Sequence, residues 1–175
     1  REGSVVVGGQ DGLNVIPPQK ISHDSRKARV IFSGLILFDH PLGVGEEYDG
    51  HVVLRKSMDG ERMLHLKHSE NAFTIQLASS EVSIPEKSRF MYRLRGFSDK
   101  WFSTTEGQSN VTFTSMPPGK YTLEARVITR YGVISDVVSK LDIVIAPPFY
   151  LSVWAILLYI FIVTVAVWYA RRVFL

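Results

Sequence analysis

Few residue patterns in this chain have the spacing that chemistry requires. His65-x-x-His68 brings two histidines close in sequence, but residues three apart on a strand point to opposite faces, which does not suit a single metal ion. Gly8-Gly9 with Gly12 looks like a phosphate-binding loop. Such a loop must open into a helix, and Pro17-Pro18 prevents one here. Surface histidines and an ordinary turn are the simpler interpretations.

The remaining polar residues indicate a binding or structural role rather than catalysis. No nucleophile motif or apolar-flanked carboxylate pair occurs, and the chain has no Cys, which excludes thiolate metal sites and disulfides. We predict no catalytic residue, cofactor or metal in this chain. A stripe of Arg89, Arg93, Arg95 and Arg126 could meet an anionic partner. A solvated sheet face, partly paired with Glu124, is the simpler interpretation.

The elements that would position any site are organised around one uncharged run, Phe149 to Ala170. At about 1.5 Å per residue its helix would span about 33 Å, enough to cross the hydrocarbon core of a bilayer. A buried core helix would show a polar face, whereas this run contains only Ser152 and Thr164 as polar residues. The pattern predicts a transmembrane helix over 150–170.

The flanks of this run predict its orientation. Aromatic rings favour the headgroup zone and basic residues stay on the cytoplasmic side. The expected interface residues are Tyr150, Trp154, Trp168, Tyr169, Arg171 and Arg172. We therefore expect residues 1–148 outside the membrane and 171–175 inside; a cleaved sorting tail is the alternative, but Ala146-Pro147-Pro148 lacks its recognition features. Without the Arg pair the net charge of +3 nearly vanishes, which does not indicate nucleic acid as a partner.

The stretch before the helix has the alternation typical of β-strands. Phe73, Ile75 and Leu77 alternate with polar residues, and so do Phe90, Tyr92 and Leu94 as well as Tyr121, Leu123 and Ala125. About seven such strands predict one mainly antiparallel, immunoglobulin-like or fibronectin-like β-sandwich over 28–146. We expect its interior to hold Tyr92, Leu94, Trp101, Tyr121 and Leu123.

Two segments resemble parts of the hybrid two-component sensor histidine kinases of Bacteroidetes. Residues 1–21, with GSVVVGGQDGLNVIPPQKI, resemble the closing strands of their periplasmic β-propeller, although Ile16 stands where an aromatic residue is usual. Two strands alone cannot bury a core, so we expect a fragment of a longer receptor, with residues 22–27 as a linker.

The second segment resembles the Y_Y_Y domain that follows the propeller in those sensors. The resemblance rests on Phe90-x-Tyr-Arg-Leu-x-Gly-Phe, on Trp101, and on Met116-Pro-Pro-Gly-Lys-Tyr-Thr-Leu, and covers roughly 72–146. The motif residues that it implies are Tyr92, Leu94, Gly96, Trp101, Phe113, Pro117, Pro118, Gly119, Tyr121, Arg126 and Gly132. Phe113 replaces the middle tyrosine of the family, Arg95 replaces a Glu, and Thr129 and Ile134 replace an Asn and a Trp, which questions any polar role there.

The resemblance implies a function in signalling. It implies a periplasmic relay in the bacterial inner membrane, between a propeller that senses a ligand, commonly an oligosaccharide, and a cytoplasmic histidine kinase. Pro147, Pro148 and Phe149 would form the joint to the membrane helix, and Ala166 with Ala170 fits a small-xxx-small dimer contact. An anchored interaction or adhesion module without signalling is the alternative. A stiff Pro-Pro connection favours signalling.

Overall fold

The fold was analysed in a computed structural model of the chain, which describes residues 5–9, 12–16, 27–80, 89–129 and 132–174. Two short strands, β1 (Val5–Gly9) and β2 (Gly12–Ile16), pair antiparallel near the amino terminus. The predicted linker 22–27 lies almost entirely outside the described residues. The assignment of 1–21 to a propeller therefore stays a prediction.

One sheet of the main domain has four strands in the order β11, β8, β3, β4. The strands are β3 (Val30–Leu37), β4 (His40–Leu42), β8 (Phe73–Ser79) and β11 (Asn110–Phe113). Neighbouring strands pair antiparallel, and a bulge interrupts the register of β3 and β8 between Phe32 and Gly34. The alternation predicted for Phe73, Ile75 and Leu77 is present in β8, where all three side chains are buried.

The facing sheet has five strands in the order β10, β9, β12, β13, β7. They are β7 (Met63–Leu66), β9 (Arg89–Arg95), β10 (Phe102–Ser103), β12 (Gly119–Ile128) and β13 (Ser139–Ile145). Three pairings are antiparallel, but β7 runs parallel to β13, with Leu66 opposite Ile145. A parallel neighbour requires a crossover connection. The chain makes it here by passing from β7 in this sheet to β8 in the four-stranded sheet.

The two sheets enclose one hydrophobic core. Apolar side chains from both inner faces are almost fully buried, including Leu35, Ile75, Leu123, Leu141 and Ile143. A small hairpin, β5 (Glu47–Tyr48) with β6 (His51–Val52), lies beside this core, and Tyr48 packs against it. The predicted fold class, a mainly antiparallel sandwich followed by one apolar helix, is confirmed.

The strand count exceeds the prediction of about seven, because 11 strands, β3 to β13, lie in the described part of the main domain. The additional ones are mostly very short, such as β5 and β6, with two residues each. Alternation needs several residues to be recognised. Strands of two residues therefore leave no readable pattern.

The carboxyl-terminal helix α1 (Val153–Phe174) follows a short 3-10 helix, Phe149–Leu151. Within the described residues it is the one helix long and apolar enough to cross a membrane, with a mean hydropathy of 2.3 over Val153–Val173. It starts three residues later than the sequence reading of 150–170 and continues past the Arg pair. Ser152 has an extended backbone, and its carbonyl accepts the bond from the Ile156 amide at 3.1 Å, so Ser152 acts as the helix N-cap.

Candidate functional site at the membrane joint

The turn that starts β12 is fixed by a tyrosine. Tyr121 is buried, and its hydroxyl donates a hydrogen bond of 2.8 Å to the Pro117 carbonyl. A Cβ added to Gly119 would lie 3.3 Å from that hydroxyl oxygen, so the ring closes directly over the turn. Pro117 and Pro118 themselves are exposed. The rigid turn and the buried ring therefore set the position at which β12 begins.

An aromatic row joins the two sheets beside this turn. Tyr92 of β9 meets Phe113 of β11 edge to face, with ring centroids 6.4 Å apart and planes at 88°. Phe113 in turn packs 5.4 Å from Phe73, and Tyr92 lies 5.8 Å from Phe102. Tyr92 is partly buried and packs against the edge of the core. The loss of a hydroxyl at Phe113 leaves this packing intact, because the contacts are between rings.

Three further motif residues shape the strand ends. Leu94 is buried in the core. Gly96 has φ +91°, and a Cβ there would lie 2.8 Å from the Lys120 carbonyl oxygen, so only glycine fits this close approach. Gly132, with φ +76°, has no neighbour within 4 Å of an added Cβ. Its requirement is conformational alone.

Trp101 does not lie in the core, contrary to the sequence prediction. It is partly exposed, and the guanidinium carbons of Arg93 and Arg126 lie 4.6 and 5.1 Å from its ring centroid. Phe102 pairs with Tyr92 and shares its side of the sheet, although Phe102 itself is 48% exposed, so the preceding residue lies on the opposite, outer side. Trp101 and Arg126 thus form a stacked cation–π cluster on the outer face.

Glu124 lies beside this cluster and is 3% exposed, although it faces outward. Its carboxylate accepts a 2.6 Å bond from Arg93 and lies 3.5 Å from Arg95 Nε and 3.4 Å from Lys140 Nζ. Burial raises the pKa of Glu124, but the hydrogen bond and charge of Arg93, together with Arg95 and Lys140, outweigh it and lower the pKa. The predicted partial pairing of the Arg stripe with Glu124 is thus present at Arg93 and Arg95, and the buried carboxylate is surrounded by cations of which Arg95 and Lys140 are exposed.

A second buried carboxylate was not found from the sequence. Glu70, 1% exposed, accepts a 2.8 Å bond from the Lys67 amide and lies 3.5 Å from His51 Nε2. Glu70 closes the 3-10 helix His68–Glu70 that links β7 to β8. The signal available was weak, because an acidic residue at the third position of a turn is a capping pattern.

The histidine pair is divided between two elements. His65 is exposed on β7, whereas His68 begins the 3-10 helix. Across the described ranges no three His, Asp or Glu side chains gather as metal ligands would. A cavity of about 720 Å³ is lined by His65 together with Arg55, Lys56 and Arg62, beside the outer edge of β7. Charged side chains at a sheet edge also prevent unwanted strand pairing.

The joint is short and constrained. The Ala146 amide donates a 2.9 Å bond to the Leu66 carbonyl, so the chain stays attached to the sheet for one residue beyond β13. Pro148 is buried, whereas Pro147 is exposed. The carbonyl of Pro148 accepts the Leu151 amide at 3.0 Å, which starts the 3-10 helix. Pro148 therefore precedes this 3-10 turn and does not belong to α1.

The residues expected at the membrane interface all project outward. Phe149, Tyr150, Trp154, Trp168 and Tyr169 are exposed. The guanidinium of Arg172 lies 5.4 Å from the Trp168 ring centroid, and both Arg171 and Arg172 belong to the last turn of α1. An apolar helix with exposed rings at both ends matches what a bilayer accommodates.

The fold and the joint define a β-sandwich module that continues directly into a membrane-length apolar helix. Residues 81–146 match the Y_Y_Y domain family, and this part of the chain is a Y_Y_Y domain. The resemblance of this segment to the Y_Y_Y domain is confirmed. Over 152 residues, or 87% of the chain, it is 22% identical to Histidine kinase P4 of Formosa agariphila, of which it covers 11%.

Crystal structures of two extracellular domains share the fold. The proposed hybrid two component system BT4673 of B. thetaiotaomicron matches with a TM-score of 0.61 and 22% identity over 85% of this chain and 19% of that one. The corresponding domain of BT3049 matches with a TM-score of 0.56 and 21% identity, over 81% and 20%. The chain thus spans about a tenth of its curated relative and about a fifth of these structures.

Proposed function

We propose that this chain is the membrane-proximal periplasmic domain and transmembrane helix of a sensor receptor. In this function an upstream propeller binds the ligand, and the sandwich and helix pass the signal to a cytoplasmic histidine kinase. The Y_Y_Y domain, the shared fold with extracellular sensor domains and the resemblance to a histidine kinase all support this proposal. The whole receptor's ligand, by resemblance an oligosaccharide, would not contact this fragment.

The direct connection between β13 and α1 carries the proposal. β13 is held between β12 and β7, and its last residue, Ile145, is 1% exposed. Only residues 146–152 separate it from α1, and they contain two prolines and a 3-10 helix but no glycine. Proline fixes φ and excludes further ladder pairing. A displacement of the sandwich would therefore reach the helix instead of being absorbed.

The alternative is an anchored interaction module in which the sandwich is a stalk. A stalk needs reach rather than rigidity, and flexible linkers are usually rich in Gly and Ser. The coding sequence beyond Leu175 separates the two proposals: a dimerising helix with a phospho-acceptor His supports the receptor. A stop codon at that point supports the stalk.

The relay can be tested at the joint of the intact receptor. Replacing Pro147 and Pro148 by Gly-Gly, or inserting Gly-Ser beside them, should uncouple ligand from kinase output, because the segment would gain backbone freedom. Ligand affinity and membrane insertion should not change. Output is measured with a reporter gene under the receptor's own control, and affinity by calorimetry.

The matched control is the same Gly-Ser insertion beside Gly132, in the hairpin between β12 and β13. Gly132 is exposed with open space around it, so an insertion there should leave output intact. Full ligand-dependent output from both joint variants would refute the relay, because the joint would then only separate the last strand from the helix. Loss of output in the hairpin control would mean that the assay detects general damage to the domain.

A further inference from the structure

The sandwich has one end at which β13 finishes and the chain leaves toward α1; we call it the exit end. It contains the turns 38–39, 96–100 and 114–118. The register places them together, because Gly119 pairs with Ile145 at the end of β13, and Leu37 and Phe113 both pair with Phe73. The opposite end contains the β12–β13 hairpin with Val133.

Two large aromatic side chains are exposed at the exit end, one from each sheet. Phe38 is 54% exposed and Phe97 is 62% exposed. Neither ring takes part in the aromatic row that joins the sheets. A phenylalanine in water lacks the favourable free energy that burial in an apolar environment gives it. Something other than the domain core would have to cover these rings.

Phe38 also adopts a backbone conformation that the residue disfavours. Its φ is +45°, and Asp39 follows with φ +64°, in the two-residue turn between β3 and β4. Such turns favour Asn-Gly or Asp-Gly, because the left-handed region is sterically unfavourable for most other residues. An aromatic ring kept at this strained tip suggests a binding role.

The distance to the membrane is limited by the joint. Phe149 follows Ile145 by four positions, and at about 3.5 Å per position the two residues lie no more than about 14 Å apart. Phe149 and Tyr150 are the aromatic residues expected at headgroup level. The exit end is therefore tethered within reach of the headgroup layer, which is where exposed aromatic rings partition.

The charges at the exit end nearly cancel. Asp39 and Asp99 are exposed beside the two rings, and Lys100 and Lys120 are exposed close by. A balanced surface does not depend on anionic lipid. Burial of the rings would provide the attraction, with the lysines positioned to contact phosphate oxygens.

We propose that the exit end is a bilayer-contact surface in which Phe38 and Phe97 enter the boundary between headgroups and acyl chains. The inference rests on the proposed membrane anchor. The contact fixes the tilt of the sandwich on the membrane, so that a change in the upstream domain must either break the contact or move α1. Phe38 and Phe97 act here as anchors, and the joint is the axis between them and the helix.

The absence of Cys makes a depth measurement direct. Single variants Phe38→Cys, Phe97→Cys and Val133→Cys each receive a nitroxide spin label in the full chain, reconstituted in phosphatidylethanolamine nanodiscs with and without phosphatidylglycerol. Collision with oxygen reports lipid, and collision with a water-soluble nickel chelate reports solvent. The oxygen-to-nickel ratio should be several-fold higher at 38 and 97 than at 133, and equal in both lipids.

Val133 is a matched control, since it is an exposed apolar residue, 38% exposed, at the opposite end. A label at Leu158→Cys, in α1, tests the anchor separately. A lipid-exposed label at 158 with water-exposed labels at 38 and 97 overturns the bilayer contact and leaves the anchor intact. A water-exposed label at 158 overturns the anchor.

A second measurement guards against disturbance by the labels themselves. A label at Lys100→Cys should lose its proximity to lipid when Phe38 and Phe97 are both replaced by Ser, and keep it otherwise. Dilution with unlabelled chain tests the remaining occupant: if labels at 38 and 97 show spin–spin broadening that disappears on dilution, while their collisions with both oxygen and nickel stay low, the rings meet a second copy. That result also overturns the bilayer contact.

Discussion

At the scale of single residues, Glu124 shows how a carboxylate can be buried on the solvent side of a sheet. An isolated charge loses its hydration at a large cost. Here Arg93 and Lys140 stand directly opposite Glu124 on the two neighbouring strands, and Arg95 approaches from the diagonal position. Together they hold the carboxylate ionised and connect β9, β12 and β13.

This cluster predicts a pH dependence of stability. The pKa of Glu124 lies below its ordinary value of 4.5, so the unfolded chain binds the proton first as the pH falls. The stabilisation is complete above the unfolded value and disappears as the pH falls through the folded one. Glu124→Gln should lower the free energy of unfolding by about 1 to 3 kcal/mol at neutral pH.

The measurement is urea unfolding of the detergent-solubilised chain, followed by circular dichroism at several pH values. The difference between the wild-type chain and Glu124→Gln should shrink below about pH 4.5. Glu106→Gln, in an exposed loop, is the control and should have little effect. A difference that stays constant down to pH 3 would contradict the assigned role of the carboxylate.

Trp101 provides the second prediction at this scale. A fully buried aromatic residue costs about 3 to 5 kcal/mol when truncated to alanine. A partly exposed ring stacked on two guanidinium groups should cost less, because much of it remains in water and each cation–π contact contributes about 0.5 to 1 kcal/mol. Trp101→Ala should therefore destabilise less than Leu94→Ala in the same urea titration. If Trp101→Ala lowers the free energy of unfolding by as much as Leu94→Ala or more, Trp101 behaves as a core residue and the prediction is wrong.

What the sequence could predict at this scale followed from alternation. Leu94, Leu123 and Tyr121 are buried as expected, because each occupies an inward position of a long strand. Trp101 and Phe102 are adjacent and both aromatic, so alternation alone does not say which of them faces the core side, and in the structure neither is buried. Glu70 and His51 are 19 positions apart, and their contact depends on the crossover between the sheets.

At the scale of elements, long strands and the apolar helix were readable, but short edge elements were not. β7 is a four-residue strand whose parallel partner lies more than 70 positions later in the chain. No local pattern reports such a pairing. The predicted start of α1 at 150 was three residues early, because the apolar run does not show that the 3-10 helix Phe149–Leu151 precedes the N-cap Ser152.

The exposed helix predicts a dimer at this scale. Ala166 and Ala170 lie four residues apart, so they share one face of α1 and allow close approach of a second helix. Replacing both by Leu should weaken dimerisation of the chain in nanodiscs or detergent, measured by energy transfer between labelled copies. Val163→Leu with Val167→Leu, one row away, is the control.

The two pairs of variants separate the possible dimer contacts. Unchanged transfer in the Ala variants, with a loss in the Val variants, would place the helix contact on another face. Unchanged transfer in both would move the dimer contact out of α1. Reduced transfer in the Ala variants alone would support the small-residue face.

At the scale of the whole molecule, the domain has two distinct ends. Ser139 of β13 donates its hydroxyl to the Val30 carbonyl at 2.6 Å, and the Ser135 hydroxyl bonds the Ala28 carbonyl, so the entering chain is attached to the β12–β13 hairpin. The chain leaves at the other end through Pro147 and Pro148. Force or rotation applied at the entrance must cross the whole sandwich before it reaches the helix.

This arrangement has meaning only if the sandwich and the end of α1 lie on different sides of the membrane. The last turn of α1 carries Arg171 and Arg172, and positive charge next to a membrane helix stays in the cytoplasm. β-Galactosidase is active only in the cytoplasm, so a β-galactosidase fused after Leu175 should be active. Alkaline phosphatase, which requires the periplasm, should be inactive in the same fusion.

The complementary fusion completes the test of topology. Alkaline phosphatase inserted at Gly132, on the exposed β12–β13 hairpin, should be active, since that hairpin belongs to the periplasmic side in the proposed orientation. Replacing Arg171 and Arg172 by Ser should reduce the bias between the two reporters, because the charge difference across α1 determines it. Phosphatase activity after Leu175 in the unmodified chain would reverse the orientation, and the relay to a cytoplasmic kinase would fail with it.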